Sequence, residues 1–160
     1  MKNLKAILET TDNLKNRTDV NWQEVLSEIV SDFECTTGTL HFLDPSTNLL
    51  TIEAHIGIPN FLVPKLSKIP IGKGMAGIAA EREEAVEMCN LQTDDSGIAR
   101  PAAKETKVEG SIAAPMLYDG QLYGTLGIGK TVPYDFKKEE VSALLKIGEM
   151  ISEVYTRNAT

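Results

Sequence analysis

The order of elements along this chain predicts an α+β fold, an antiparallel sheet with helices on one face and a loop-rich middle covering the other. Three observations predict it. Two stretches with helical apolar spacing open the chain. Two apolar hairpins come next, separated by an irregular middle, and a long amphipathic helix closes it. The 160 residues are read as one domain, with N-terminal helices over 1–34, sheet and pocket loops over 35–134, and a C-terminal helix over 135–158.

The first helix is expected over residues 2–15, where Leu4, Ile7, Leu8, Thr11 and Leu14 recur at helical spacing. Asn21 followed by Glu24 has the form of a capping pair opening a second helix, with Trp22, Val25, Leu26, Ile29, Val30 and Phe33 on its apolar face. Thr39–Leu43 and Leu50–Ile56 then read as a hairpin about a turn at Asp44–Thr47. In the second strand Leu50, Ile52, Ala54 and Ile56 alternate with Thr51, Glu53 and His55, which predicts two unlike faces.

The middle is less regular. A short helix interrupted by Pro64 is expected over 60–68, a second short helix over Met75–Arg82 after Gly72 and Gly74, and a strand over Ala85–Cys89. Leu91–Val108 reads as a polar loop holding at most a helical turn. Ser111–Thr131 forms a second hairpin about Asp119-Gly120, and the last helix begins at Asp135 or Lys137.

Part of that second hairpin, Gly124 to Thr131, matches the phosphate-loop spacing G-x-x-x-x-G-K-[ST]. Such a loop needs a helix directly after it, to aim N–H groups at the phosphates. Pro133 instead pushes Val132 out of the helical region, and only Gln121-Leu122-Tyr123 precede Gly124 after the turn. The glycines are therefore read as strand glycines, marking close backbone approach or open space above the sheet.

Composition narrows the function. A net charge of −7 without any block of basic residues argues against a nucleic-acid surface. No apolar run approaches a membrane span, no signal-like segment opens the chain, and Cys35 and Cys89 offer neither a disulfide framework nor a metal spacing. A cytoplasmic location, no membrane and no metal are expected.

Five segments, in order, resemble the GAF domain family of small-molecule sensors. They are Ile69-Pro-Ile-Gly72-Lys-Gly74-Met-Ala-Gly77 with Ala80-Glu81, Ala85 to Asn90, Ser111 to Leu117, Leu122 to Leu126, and Pro133 to Phe136. The resemblance covers nearly the whole chain. It implies a GAF/PAS-like (profilin-like) five- or six-stranded antiparallel sheet, with terminal helices on one side and a ligand pocket on the other, beneath residues 57–108. Three activities of the family can be tested against residues. Free methionine sulfoxide reductases need a cysteine where this chain has Ala76, and more in the loop 91–108, which has none. The cyclic-nucleotide signature N-K-x-x-x-F-x-x-x-D-E is absent, with Gly127 at the approximate place of the purine-reading acid. No cysteine matches the bilin attachment site.

The resemblance therefore implies a stand-alone sensor that is not an enzyme, taking a small anionic or polar ligand of unknown identity and no named cofactor. Its expected protein contacts are a homodimer through residues 2–15 and 137–157, and a signalling partner. Two alternatives accompany it: a reductase that keeps only Cys89, near the pocket, and an interaction domain whose cavity is plugged by Met75, Met88 and Met116. The expected ligand residues are His41 and His55, facing away from the aliphatic stripes; Met75 and Ala76, opening a helix whose N-terminus attracts anions; Asn90, in place of the family's aspartate; Lys107, with Arg100 and Lys104 on a cationic loop; and Ser111 and Gly127 on the core strands.

Overall fold

The computed structural model describes residues 20–158, so the helix expected over 2–15 lies outside the described residues. Helix α1 (Trp22–Asp32) starts as its capping pair implies, with Asn21 Oδ1 accepting from the Glu24 N–H at 3.2 Å. It stops one residue before Phe33, which its spacing placed on the helix and which is instead the C-cap. The C-terminal end of α1 is held from a distance of nearly 100 residues. Lys130 Nζ donates to the carbonyls of Phe33 and Glu34 at 2.9 and 3.0 Å and sits 4.5 Å from the centre of the Tyr134 ring. A buried ammonium is well placed there, because the end of a helix presents unpaired carbonyls and the negative pole of its dipole. The residue that completed the phosphate-loop spacing is thus a helix anchor.

Six antiparallel strands make the sheet: β1 (Thr37–Asp44), β2 (Leu49–Ile56), β3 (Lys68–Pro70), β4 (Val86–Met88), β5 (Ser111–Tyr118) and β6 (Gln121–Gly129). They pair in the order β3-β2-β1-β6-β5-β4, which places the second hairpin's return strand at the centre. The β5–β6 turn has Asp119 and Gly120 both at positive φ, 52° and 77°, the twist that matches a two-residue hairpin loop. β3 has no counterpart in the sequence reading; its three residues, including Pro70, lie on an edge where a missing N–H is tolerated. The short helices α2 (Val63–Leu66), α3 (Gly74–Arg82) and α4 (Pro101–Lys104) lie in the middle, and α5 (Lys138–Asn158) closes the chain. Glu140 Oε1 accepts from the Lys137 N–H at 2.9 Å, the returning half of a capping box.

One expectation about β2 is corrected. A bulge at Glu53 shifts the register, so Leu40 pairs with Ala54 while His41 pairs with Ile52. An extra residue flips the side-chain alternation beyond it. Ala54 and Ile56 therefore share the face of Leu40, whereas Leu50 and Ile52 share the opposite face with His41. The upper edge of β2 is closed by the Gln23 side chain, whose amide gives one bond to the His55 carbonyl and takes one from its N–H, as a neighbouring strand would.

The two faces of the sheet are built differently. On one, α1 and α5 seal a core that includes Leu26, Ile29, Phe33, Leu40, Ile112, Met116, Leu126, Leu144 and Ile151, all nearly or fully buried. Trp22 packs edge-on against Phe42, which stacks on Tyr155 at 3.9 Å. The second cluster is smaller, with Met75, Ala79, Val86, Met88, Leu91 and Ala99 around Ala113 on the other face. Among the described residues no helix is long and apolar enough to cross a membrane.

Replacing Lys130 by Met keeps the bulk but leaves the two carbonyls without their donor. Lys130→Met is expected to lower unfolding free energy by about 1–3 kcal/mol in urea titration. An unchanged midpoint would show that the anchor contributes nothing.

Candidate ligand-binding site

The face opposite the helix pair holds a cavity of about 530 Å³, within the roughly 300–1,000 Å³ typical of small-molecule sites. Its floor is the centre of the sheet. Thr37, Thr39 and His41 project from alternate positions of β1, paired with Gly129, Gly127 and Thr125 of β6; Ser111 and Ala113 of β5 complete it. Gly127 makes the floor low, since no side chain rises there. A Cβ on Gly127 would lie 3.0 Å from Thr39 Oγ1, whereas one on Gly124 would run into the His41 carbonyl. The two glycines thus differ: Gly124 permits strand packing, and Gly127 leaves space.

The roof comes from the irregular middle, through Ile58, Leu66, Ile69, Leu91, Pro101, Ala102 and Val108, and so is largely apolar. This loop is pinned. Gln92 Nε2 donates to the Lys104 and Val108 carbonyls at 2.9 and 2.7 Å, and Lys104 Nζ donates to the Asp94 carbonyl at 2.8 Å. Cationic side chains line the rim: Lys65, 3.6 Å from Glu105, then Lys73 and Arg100.

Two features give the cavity polarity. At one wall α3 begins, with Gly74, Met75 and Ala76 all lining the space and no side chain capping their N–H groups. Gly74 has φ 69°, and the Arg100 stem packs so near that a Cβ there would sit 3.3 Å from Arg100 Cδ. Uncapped N–H groups and the positive end of the helix dipole meet here, with the Arg100 stem packed alongside. On the floor, His41 is 1% exposed. Its Nε2 bonds the Leu66 carbonyl at 2.8 Å, while Nδ1 is buried without a partner, as is Thr125 Oγ1 opposite it on β6. Burial pulls the His41 pKa below its ordinary 6.5, outweighing the opposing effect of the Leu66 bond.

Of the residues singled out from sequence, His41, Met75, Ala76, Ser111 and Gly127 line the cavity. His55, Asn90 and Lys107 do not. His55 pairs with Thr39 near the end of β2, and the bulge puts it on the same face as Leu50 and Ile52, not opposite them. Asn90 Oδ1 accepts from the Gln92 N–H at 3.1 Å and so caps a turn. Lys107 is exposed at a left-handed turn position, φ 67°. The cationic residues that do line the rim are Arg100, Lys65 and Lys73. Thr37 escaped notice because the first strand was expected to begin at Thr39; the spacing 37, 39, 41 is the signal that would have found it.

Cys89, expected near the pocket, is exposed and does not line it. Partial desolvation and then the Asp135 carboxylate raise its thiol pKa. Cys35 lies at the α1–β1 junction, and burial pushes its thiol up to about 11. The proposed methionine plugs are distributed elsewhere too: Met116 belongs to the helix-side core, Met88 to the cluster behind α3, and only Met75 touches the cavity, which stays open.

A six-stranded antiparallel sheet, sealed by terminal helices on one face and hollow beneath loops on the other, defines a GAF-type fold. The GAF domain family model matches residues 22–154, and the chain belongs to that family. A comparison with curated proteins found no match. Among solved structures, the GAF domain of a phosphoenolpyruvate-protein phosphotransferase from Acinetobacter aligns with a TM-score of 0.79 at 17% identity, over 99% of this chain and 96% of that one. Free methionine-R-sulfoxide reductase from Neisseria meningitidis, in complex with its substrate, aligns at 0.78 and 14% identity, over 96% and 88%. The type II enzyme of that name from Thermoplasma acidophilum aligns at 0.70 and 18%, over 90% and 96%. Likeness at such identities shows the fold. It also corrects the expectation of a non-enzyme, because enzymes stand among the structural neighbours along nearly the full length of this chain.

The glycine contrast is testable by stability. Gly124→Ala is expected to cost roughly 1–3 kcal/mol through overpacking against β1, and Gly127→Ala far less; equal costs would contradict the assignment. The depressed His41 pKa sets a pH dependence. Below about 6.5 the unfolded chain takes up a proton that native His41 refuses, so this stability is present above that pH and is lost as pH falls toward the folded pKa. His41→Gln is expected to flatten that part of the stability–pH curve, and an unaltered slope would show that His41 does not cause it.

Proposed function

We propose that this GAF domain binds a small organic anion in the cavity and that occupancy of the cavity is what the domain reports. The observation that carries this reading is the uncapped N-terminus of α3, with Gly74, Met75 and Ala76 opening beside Arg100 into a half-open, mostly apolar cleft. Free N–H groups and a guanidinium favour a carboxylate over a cation. The apolar roof favours a ligand with a hydrocarbon body. The Neisseria neighbour, whose structure holds its substrate, supports the view that this fold admits a small molecule. Occupancy would be felt through the sheet, whose other face carries α1 and α5.

A thermal-shift panel of small carboxylates, amino acids, cyclic nucleotides and free methionine-R-sulfoxide tests the reading, since a ligand selective for the native state raises its apparent stability. A carboxylate is expected to raise the midpoint, and Arg100→Ala to weaken that binding a few-fold. A flat response across the panel would overturn the proposal. Turnover of methionine-R-sulfoxide by the same preparation would make the bound compound a substrate and replace the regulatory reading with a catalytic one.

A further inference from the structure

Little of the cavity floor is open to a ligand. Among the lining residues of the central strands, Thr39, Ser111 and Gly127 are partly accessible, while the others, His41 included, are buried. Thr39 and Gly127 are register partners on β1 and β6. Around the place a Cβ would take on Gly127, the described residues bring Thr39 Oγ1 to 3.0 Å and the Ile112 carbonyl oxygen to 3.8 Å, and nothing else within 4 Å apart from the glycine's chain neighbours. The Thr39 hydroxyl therefore leans over the gap the glycine leaves. It has no hydrogen-bond partner among the described residues and, unlike Thr125 Oγ1, it is not sealed off. The next rung differs. Over Gly129, Val108 Cγ1 would lie 2.6 Å from a Cβ, so Thr37 and Ser111 flank a filled place and Thr39 flanks the open one.

We propose that Thr39 is the specificity-determining side chain of this cavity, and that the ligand is a carboxylate carrying a second, neutral polar group seated over Gly127. This rests on the cavity being the anion site described above, with the carboxylate at Gly74–Ala76. A hydroxyl both donates and accepts, so the second group is an alcohol, a phenol or a carbonyl. An apolar group over Gly127 would strip water from the Thr39 hydroxyl and return no hydrogen bond. A cationic group there would lack a counter-charge. Among the lining residues the one carboxylate is Glu105, which stands at the rim 3.6 Å from Lys65.

The test uses calorimetry with 3-phenylpropanoate and its 2-, 3- and 4-hydroxyphenyl and matching methylphenyl derivatives, in which a hydroxyl and a methyl of similar size trade places. The proteins are wild type, Thr39→Val, Thr39→Ser and Gly127→Ala, each checked for folding by circular dichroism. At least one hydroxyphenyl isomer is expected to bind wild type about fivefold more tightly than its methyl counterpart, the worth of one net hydrogen bond. Thr39→Val, equal in shape, is expected to lose that preference while still binding the parent acid, and Thr39→Ser to keep it. Gly127→Ala, which puts a methyl in the open place, is expected to weaken the favoured isomer several-fold. The aminomethyl analogue of that isomer, an ammonium, is expected to bind no more tightly than the methyl one, and tighter binding overturns the neutral assignment. Equal binding of every hydroxyl and methyl pair to wild type overturns the role of Thr39 and leaves the anion site standing. A preference that survives in Thr39→Val, or a favoured isomer undisturbed by Gly127→Ala, overturns it as well. Failure of every acid to bind removes the anion site and this inference with it.

Discussion

The fold turns on β6. It lies at the centre of the sheet, bonded to β1 on one side and β5 on the other, and it must serve two faces that need opposite things. Toward α1 and α5 it presents Leu126 and Ile128, both essentially inaccessible. On the opposite face it carries Thr125 and then glycine at 127 and 129, of which Gly127 lines the cavity. A β-branched residue at 127 would pair better but would fill the floor, so local strand preference is given up where open space is needed. Gly129 is further constrained, since a Cβ there would press on Val108 and Thr37.

The segment leaving β6 stabilises the helix side. Directly after the strand, Lys130 reaches back to the end of α1, Tyr134 lies against the ammonium, and the Tyr134 hydroxyl donates to Glu140 at 2.7 Å. That bond is the largest cause lifting the Tyr134 pKa to about 12, with desolvation next. Both helices of the sealed face are thereby fastened to the same short stretch of chain. The cavity face has no such fastening of its own; its roof is short helices and a loop pinned by Gln92 and Lys104. A firmly fastened face and a lightly built one suit the proposed response to a ligand.

Much of this was legible because it is local. Helical spacing over 22–30, the Asn21–Glu24 cap and the Asp119-Gly120 turn are written in neighbouring residues, and each forms as read. The Gly124–Lys130 spacing was separable from a phosphate loop mainly by Pro133. The bulge at Glu53 was not legible, since an unbroken apolar alternation carries no mark of the partner strand's register; it misplaced Leu50 and Ile52, while His55 keeps the face of Thr39 and His41. The site was half legible. His41, Ser111 and Gly127 come from strand parity, but Arg100 and Lys73, not Lys107, reach the rim because loop geometry decides which cation points inward. Three-residue strands such as β3 are held by their neighbours and leave almost no trace in the sequence.

The hollow face of the sheet, between β6 and α3, is the proposed seat of a small anion. Backbone amide NMR during titration with 3-(4-hydroxyphenyl)propanoate measures it most directly. Shifts are expected to concentrate at Thr37–His41, Gly74–Ala76, Arg100–Ala103, Ser111–Ala113 and Gly127, with α1 and α5 little changed. Saturable shifts centred on α1 and α5, with Gly74–Ala76 and Gly127 silent, would contradict it.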